Sequence, residues 1–391
     1  LRSIRERFAA DRPLAGLKVG ACLHVTAETA NLCRTLVGGG AQVALCASNP
    51  LTTQDDVAGA LRERHGVEVL GSRGEDFATW AGHVEQVVAR RPQITLDDGA
   101  DLVLAVHESE DAVEKLIGGT EETATGLVKL RALEAEGGLK RPVMAVNEAH
   151  TERAFNDRYG TGQSALDGII RATNILLAGR TVVVLGYGWA GKGVAERARG
   201  LGASVIVCEV DALHALEARM EGFDVMPALA AAERGDIFIT VTGVRDVLTR
   251  EHFDRMKDGA ILANAGHFDV EISLPDLRAV AAGEPREVLP LVHGYELADG
   301  RRLNLLTQGY VVNLAAAQGH PAGVMDVSFA TQALAAEELA QRGADLPSGV
   351  VPVPPRIDAE VAGLKLESLG VAIDVLTLEQ REYLHSWRPK R

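Results

Sequence analysis

Positive charge is in short supply along this chain. Its 391 residues include 40 Lys and Arg against 54 Asp and Glu, a formal net charge of −14. Binding to a polyanion draws on clustered Lys and Arg that release counterions. Duplex or long single-stranded nucleic acid is therefore not expected as a partner, although a single nucleotide still is compatible. Long hydrophobic runs are missing too. None approaches the roughly 18–20 apolar residues of a membrane span, and the opening "LRSIRERFAADRPLAG" is charged and amphipathic, unlike a signal peptide's apolar core. Cysteine is sparse: Cys22, Cys33, Cys46 and Cys208 lack metal-ligand spacing. They read as free thiols of a cytoplasmic protein, and no metal site is expected. No repeat is visible beyond two similar α/β layouts.

What is present suits a globular protein, with 47% apolar and 24% charged residues. The length exceeds one ordinary core and predicts two domains, or two plus a tail. Short apolar runs alternate with amphipathic stretches of helix length. Residues 17–25, 41–48, 67–72, 94–99, 102–106 and 142–147 read as strands, with helices such as "TAETANLCRTLVGGG" and "DVAGALRERHG" between them. Strands apolar throughout, alternating with helices, imply a parallel sheet covered on both faces. A second α/β series begins at "RTVVVLGYGWAGKG" and runs to about residue 318, with the helix-like "GQSALDGIIRATNILLAG" connecting the two. After 345, "DLPSGVVPVPPRIDAEVAG" reads as a Pro-rich loop, and "LTLEQREYLHSW" as a short terminal helix.

The strongest local signal is "VVVLGYGWAGKG". Gly186, Gly188 and Gly191 form G-x-G-x-x-G between a strand and a helix, and Glu209 ends the next strand about 20 residues on. This arrangement brings backbone N–H groups at a helix N-terminus to a pyrophosphate. An acid at 209 would accept hydrogen bonds from ribose hydroxyls and repel a 2′-phosphate, which favours NAD over NADP. Other polar groups follow strands, where ligand crevices form in open α/β folds. His24, Thr26 and Glu28 in "LHVTAE" either start a helix or line such a crevice. Asp97, Asp98 and Asp101 in "LDDGAD" fit a general base, a metal ligand set or a solvated turn. "GGTEETATG" is a helix cap or a contact to a nicotinamide ribose. His267 in "NAGHFDVEI" and His320 in "QGHPAGVMD" complete a set that one cleft could gather.

In their order along the chain, "LHVTAE", "NPLTTQDD", "LDDGAD", "EETATG", "FNDRYGTGQS", "GYGWAGKG", "NAGHFDVEI" and "GHP" resemble S-adenosylhomocysteine hydrolase. The likeness runs from about residue 10 to the end and is greatest to the shorter archaeal and thermophilic-bacterial branch. It implies an α/β protein with two doubly wound parallel-sheet domains and a C-terminal helical tail. The substrate domain would be split over 1–160 and 319–352, the Rossmann NAD domain would span 161–318, and the tail would be 353–391. It also implies an adenine nucleoside substrate, bound NAD and a homo-oligomer, tetramer or dimer. Thr26, Glu28 and His320 would hold the adenine, and Glu122 the ribose hydroxyls. Asp98 with His24 would move protons at C4′ and C5′. Thr123 and Thr125 match NAD contacts, with Ala124 interrupting the family's threonine run; Asn264, His267 and Asn313 match further family positions.

The chain departs from that pattern at "TERAFNDRYG". The family has Lys where this chain has Glu152, Asp where it has Asn156, and Asn where it has Asp157. The Lys and Asp normally handle the 3′-hydroxyl, so its proton must travel differently here. Either Asp157 takes over as base, or Arg153 supplies the missing positive charge. Three readings follow. The favoured one is net dehydration of an adenine nucleoside to a 4′,5′-unsaturated product, as in angustmycin-type antibiotic biosynthesis from a psicofuranose nucleoside, with His24 as general acid. The alternatives are hydrolysis of S-adenosylhomocysteine or S-inosylhomocysteine with a substitute base, and a regulatory pseudoenzyme binding NAD and nucleoside.

Overall fold

The computed structural model describes residues 1–387. Its first sheet is built from β1 (Lys18–Cys22), β2 (Gln42–Cys46), β3 (Glu68–Leu70), β4 (Ile94–Asp97), β5 (Gly118–Glu121) and β6 (Pro142–Ala145). The second contains β7 (Thr181–Leu185), β8 (Ser204–Cys208), β9 (Asp224–Val225), β10 (Ile237–Thr240), β11 (Ile261–Asn264), β12 (Arg286–Leu289), β13 (Val292–Glu296) and β14 (Arg302–Leu306). The chain then returns to the first sheet with β15 (Gly349–Pro352), which pairs with β6. The strand orders are β15-β6-β5-β4-β1-β2-β3 and β12-β13-β14-β11-β10-β7-β8-β9.

All pairings in the first sheet are parallel. Helices cover both faces, so β4, β5 and β6 are buried along their whole length. Side chains of Thr26, Asp76 and Thr123 cap three of these helices by accepting a backbone N–H. The helix Ala322–Arg342 closes the first core with Phe329, Leu334 and Leu339, and Ile357 and Val361 join the same cluster. All four cysteines are free and buried.

Three local expectations are corrected. "LVLAV" at 102–106 belongs to the helix Asp101–Glu108, because a five-residue apolar run has no periodicity to separate strand from buried helix. "GGTE" at 118–121 is a strand despite its composition. A Cβ on Gly119 would collide with Thr95, so close strand packing requires the glycine. The expected loop after 345 contains β15 and the helix Pro355–Ser368. Pro352 ends an edge strand and Pro355 lies in a first helical turn, where a missing N–H costs no hydrogen bond. The second sheet is parallel-dominated, with β13 antiparallel to both β12 and β14 at its edge. The terminal helix Leu378–His385 starts at a Thr377–Gln380 capping box and buries none of its residues. No helix among the described residues is long and apolar enough to cross a membrane.

Strand order decides where a ligand can enter. The first sheet reverses direction of winding between β1 and β4, and the second between β7 and β10. Crevices open at the carboxyl ends of such strand pairs. His24 and Asp98 follow the first pair; Gly186 and Thr242 follow the second.

Candidate active site

The two crevices open into one cavity of about 620 Å³. Its wall from the first sheet includes His24, Asp98, Glu122 and Asp157; its wall from the second includes Gly188, Thr242, Gly243 and His267.

Asp98 is the hub of one corner. Its Oδ2 lies 3.3 Å from His24 Nε2, and its Oδ1 lies 3.7 Å from His267 Nδ1. His24 Nδ1 is held by the hydroxyls of Thr52 at 2.8 Å and Ser48 at 3.0 Å. Burial, helped by Asp101, pushes the Asp98 carboxyl up to about 7. Burial and the neighbouring His267 and His320 push His24 down to about 3. Desolvation thus favours a neutral His24 imidazole beside an Asp98 carboxyl that can hold a proton. Ligand atoms of His24, Asp98 and His267 lie within 4.8 Å of one another, a cluster that sequence spacing did not suggest.

The opposite corner is organised around Glu122. Its Oε1 accepts from the Ser328 hydroxyl at 2.7 Å and its Oε2 from the Gln332 amide at 2.8 Å. Burial and the Asp98 charge push Glu122 up to about 8. Glu152 starts a ten-residue π-helix, Glu152–Thr161, of the kind that recurs at functional sites. Its side chain is fully buried and does not reach the cavity wall. Its carboxyl lies behind the wall, where its Oε2 accepts the Asn156 amide at 2.7 Å. Asn156 itself faces the cavity, with its carbonyl oxygen unpartnered. Asp157 also faces the cavity; Asn147 donates to it at 3.4 Å, and burial pushes it up to about 7. Arg153 is an ion-pair partner of Glu148 at 3.2 Å.

Most other expected residues line the same space. Thr26 and Glu28 do so, although Thr26 is also a helix cap. His320 lies 3.2 Å from the Thr161 hydroxyl, and burial lowers it to about 4. Thr123, Thr125 and Asn313 are cavity residues, and both the Thr125 hydroxyl and the Asn313 carbonyl are buried without partners. Asn264 is not a cavity residue. Its amide clamps the carbonyls of Phe268 and Gly309, and its oxygen accepts from Thr240 and Gly266, so it shapes the loop carrying His267. Sequence reading missed Ser328 and Gln332. The signal was available, since both are polar positions four residues apart on a largely buried helix.

The second wall fits a dinucleotide. Gly186 turns with φ of 105°, and a Cβ on Gly191 would strike the Gly186 carbonyl, so the helix could not seat against the strand. A Cβ on Gly188 would meet no other part of the chain within 4 Å, which leaves the helix N-terminus open to a phosphate. Glu209 accepts the Tyr187 N–H at 2.6 Å and so stands at the mouth of this turn. The orphaned polar atoms of Thr125 and Asn313 face the same space. These features define a dinucleotide-dependent α/β enzyme whose acids and imidazoles meet a bound ligand.

Comparison with known proteins gives the family. The S-adenosyl-L-homocysteine hydrolase model matches residues 1–118, and the model of that enzyme's NAD binding domain matches 157–319. An adenosylhomocysteinase of Aquifex aeolicus is 57% identical, over 99% of this chain and 93% of the relative. An S-inosyl-L-homocysteine hydrolase of Methanopyrus kandleri is 54% identical, over 99% and 91%. The chain belongs to the S-adenosyl-L-homocysteine hydrolase family and is an NAD-dependent enzyme of the adenosylhomocysteinase type.

Proposed function

We propose that the enzyme opens a bond at C5′ of a purine nucleoside by transient oxidation of a sugar hydroxyl, elimination and addition. The leading substrates are S-adenosylhomocysteine and S-inosylhomocysteine, the compounds named by relatives that match nearly the whole chain. The single observation that carries this reading is the Asp98–His24–His267 corner, which faces the dinucleotide wall across one cavity. NAD, when bound, supplies reversible oxidation of a substrate alcohol to a ketone. Gly186, Gly188, Gly191 and Glu209 would hold it, with Thr123, Thr125 and Asn313 along its edge. The ketone makes the adjacent C–H acidic. Asp98, with its proton affinity near neutrality, takes that proton and returns it. His24, held neutral, orients Asp98 and hydrogen-bonds the group leaving from C5′. Thr26, Glu28 and His320 hold the base, and Glu122 the ribose hydroxyls.

Dehydration, favoured from sequence, receives less support from the comparisons and stands second. One observation favours it. The hydroxyl-handling segment is rebuilt as a buried Glu152–Asn156 pair, and the free Asn156 carbonyl is an acceptor for a further sugar hydroxyl. The exposed apolar side chains of Val371, Ile373, Val375 and Leu384 support a homo-oligomer.

Mass spectrometry of NAD-loaded enzyme with S-adenosylhomocysteine, S-inosylhomocysteine, adenosine and an adenine psicofuranoside separates the readings. Homocysteine release establishes hydrolysis. Loss of water from a nucleoside without homocysteine release overturns it in favour of dehydration.

A further inference from the structure

We propose that Glu121, which does not line the cavity, is a positioning residue whose side chain ties together the two loops that carry Asp98 and Glu122. The inference rests on the oxidation and elimination chemistry above, in which those two acids act on one sugar.

β4 and β5 lie side by side, with Asp97 opposite Glu121 in register. Each strand ends on an acid and is followed by a second one, and only the second faces the cavity: Asp98 after β4, Glu122 after β5. Asp97 and Glu121 are fully buried. Asp97 serves its own strand end, where Oδ1 accepts the Asp98 N–H at 3.0 Å and Oδ2 the Val103 N–H at 2.7 Å. Glu121 serves both ends. Its Oε1 accepts the Gly99 N–H at 2.9 Å, the Thr123 N–H at 2.9 Å and the Thr123 hydroxyl at 2.7 Å. Gly99 follows Asp98 and Thr123 follows Glu122, so one oxygen fixes the residue after each cavity acid. The Glu122 N–H also donates to the Asp97 carbonyl at 3.0 Å, a second link between the loops.

The three side-chain bonds all end on Oε1, because Oε2 is buried and takes no donor. Without that oxygen two N–H groups and a hydroxyl lose their acceptor. Gly99, at φ of 112°, then has the torsional freedom to turn, and it packs closely enough on His267 that a Cβ would lie 3.0 Å from Nε2. Gly126 makes room for the clamp. It stands in the first turn of the helix Ala124–Ala135, where its N–H donates to the Thr123 hydroxyl at 3.1 Å. A Cβ there would collide with the Glu121 carboxyl, so the carboxyl is what demands glycine at 126.

The test uses the full chain and three variants. Glu121→Gln keeps a carbonyl oxygen for all three donors, Glu121→Ala removes it, and Gly126→Ala pushes it aside. Amide hydrogen exchange of the ligand-free protein, followed by NMR, should show the Gly99 and Thr123 N–H groups protected in wild type and in Glu121→Gln. In the two alanine variants they should exchange about tenfold faster or more. In NAD-loaded protein mixed with adenosine, Glu121→Ala should lower nicotinamide reduction about 10²-fold, and also lower C4′ hydrogen exchange per reduced nicotinamide, because both cavity acids shift together. Glu121→Gln should hold both within about fivefold. Gly126→Ala should lower reduction about tenfold, although alanine is the better helix former and a glycine without this task would tolerate it. The proposal is overturned if Glu121→Ala, folded by circular dichroism, keeps both quantities or loses only one. It is equally overturned if Glu121→Gln is as impaired as Glu121→Ala. Amide protection that behaves as described, in a wild-type enzyme that never reduces its nicotinamide, would instead sink the oxidation reading and leave the clamp established.

Discussion

Two corners of one cavity follow opposite rules. Around Asp98, the reactive groups stand in the wall: His24 and His267 face the same carboxylate, and two small hydroxyls hold His24 from behind. Around Glu122, one carboxyl faces the cavity and a second, Glu152, is withdrawn behind it, with no cation between them. In the proposed reaction the first corner would move a proton on carbon, and the second would hold the sugar hydroxyls. A segment can then be rewritten at 152 and 156 while the groups around Asp98 are kept.

That separation can be broken at either end. Asp98→Asn should be the most damaging change, lowering turnover about 10²–10⁴-fold. Nicotinamide reduction by adenosine should stay within about tenfold, because the oxygen corner is untouched. Exchange of the C4′ hydrogen with deuterated water, followed by NMR, measures the loss directly. Glu209→Ala comes next: loss of charge-assisted hydrogen bonds should weaken NAD binding about 10–100-fold in a calorimetric titration. A joint Glu152→Lys and Asn156→Asp change restores an ion pair at the oxygen corner. It should raise homocysteine release about tenfold and lower the proton affinity of Glu122, shifting the pH midpoint of reduction downward.

Stability should report the same corner without catalysis. Burial raises the proton affinity of Glu122, Glu152 and Asp98, so the folded state binds more protons than the unfolded chain between about pH 4 and 8. Their contribution is fully present below the unfolded values and is lost as pH rises toward the folded ones. Above about pH 6.5, where the buried neutral His24, His267 and His320 no longer oppose this trend, the melting temperature of the ligand-free protein should therefore fall toward pH 8. Glu152→Gln should flatten that decline by about 2 °C or more. Asn147→Ala, which removes a long hydrogen bond to Asp157, should have the smallest effect, about twofold on turnover in a steady-state assay.

What could be read from the sequence depended on how local the constraint was. The turn at Gly186, Gly188 and Gly191 was legible because its glycines meet steric demands within a few residues. Asp98 was legible because it follows a strand whose carboxyl end must face a crevice. "LVLAV" misled because a short apolar run is the same in a buried helix and a buried strand. "GGTE" was hidden because its need for glycine comes from Thr95, on a neighbouring strand. The substitution at 152 was visible, but its consequence was not. Only the fold shows that Glu152 is fully buried and takes the Asn156 amide.

The return of the chain to its first sheet has a consequence for how the molecule is made. β15 pairs with β6 after the whole second sheet has intervened, and beside that pairing the Ser348 hydroxyl reaches the Lys140 carbonyl, 208 positions earlier. The helix bearing Ser328 and Gln332 lies on the same returning segment. During synthesis, the first sheet must therefore wait with an unpaired edge and an open core while the dinucleotide half emerges and folds. Closing so long a loop also slows this step relative to local structure. The oxygen corner can be assembled only at the end. A nascent chain that already grips its cofactor would still lack the Ser328 and Gln332 side chains that fix Glu122.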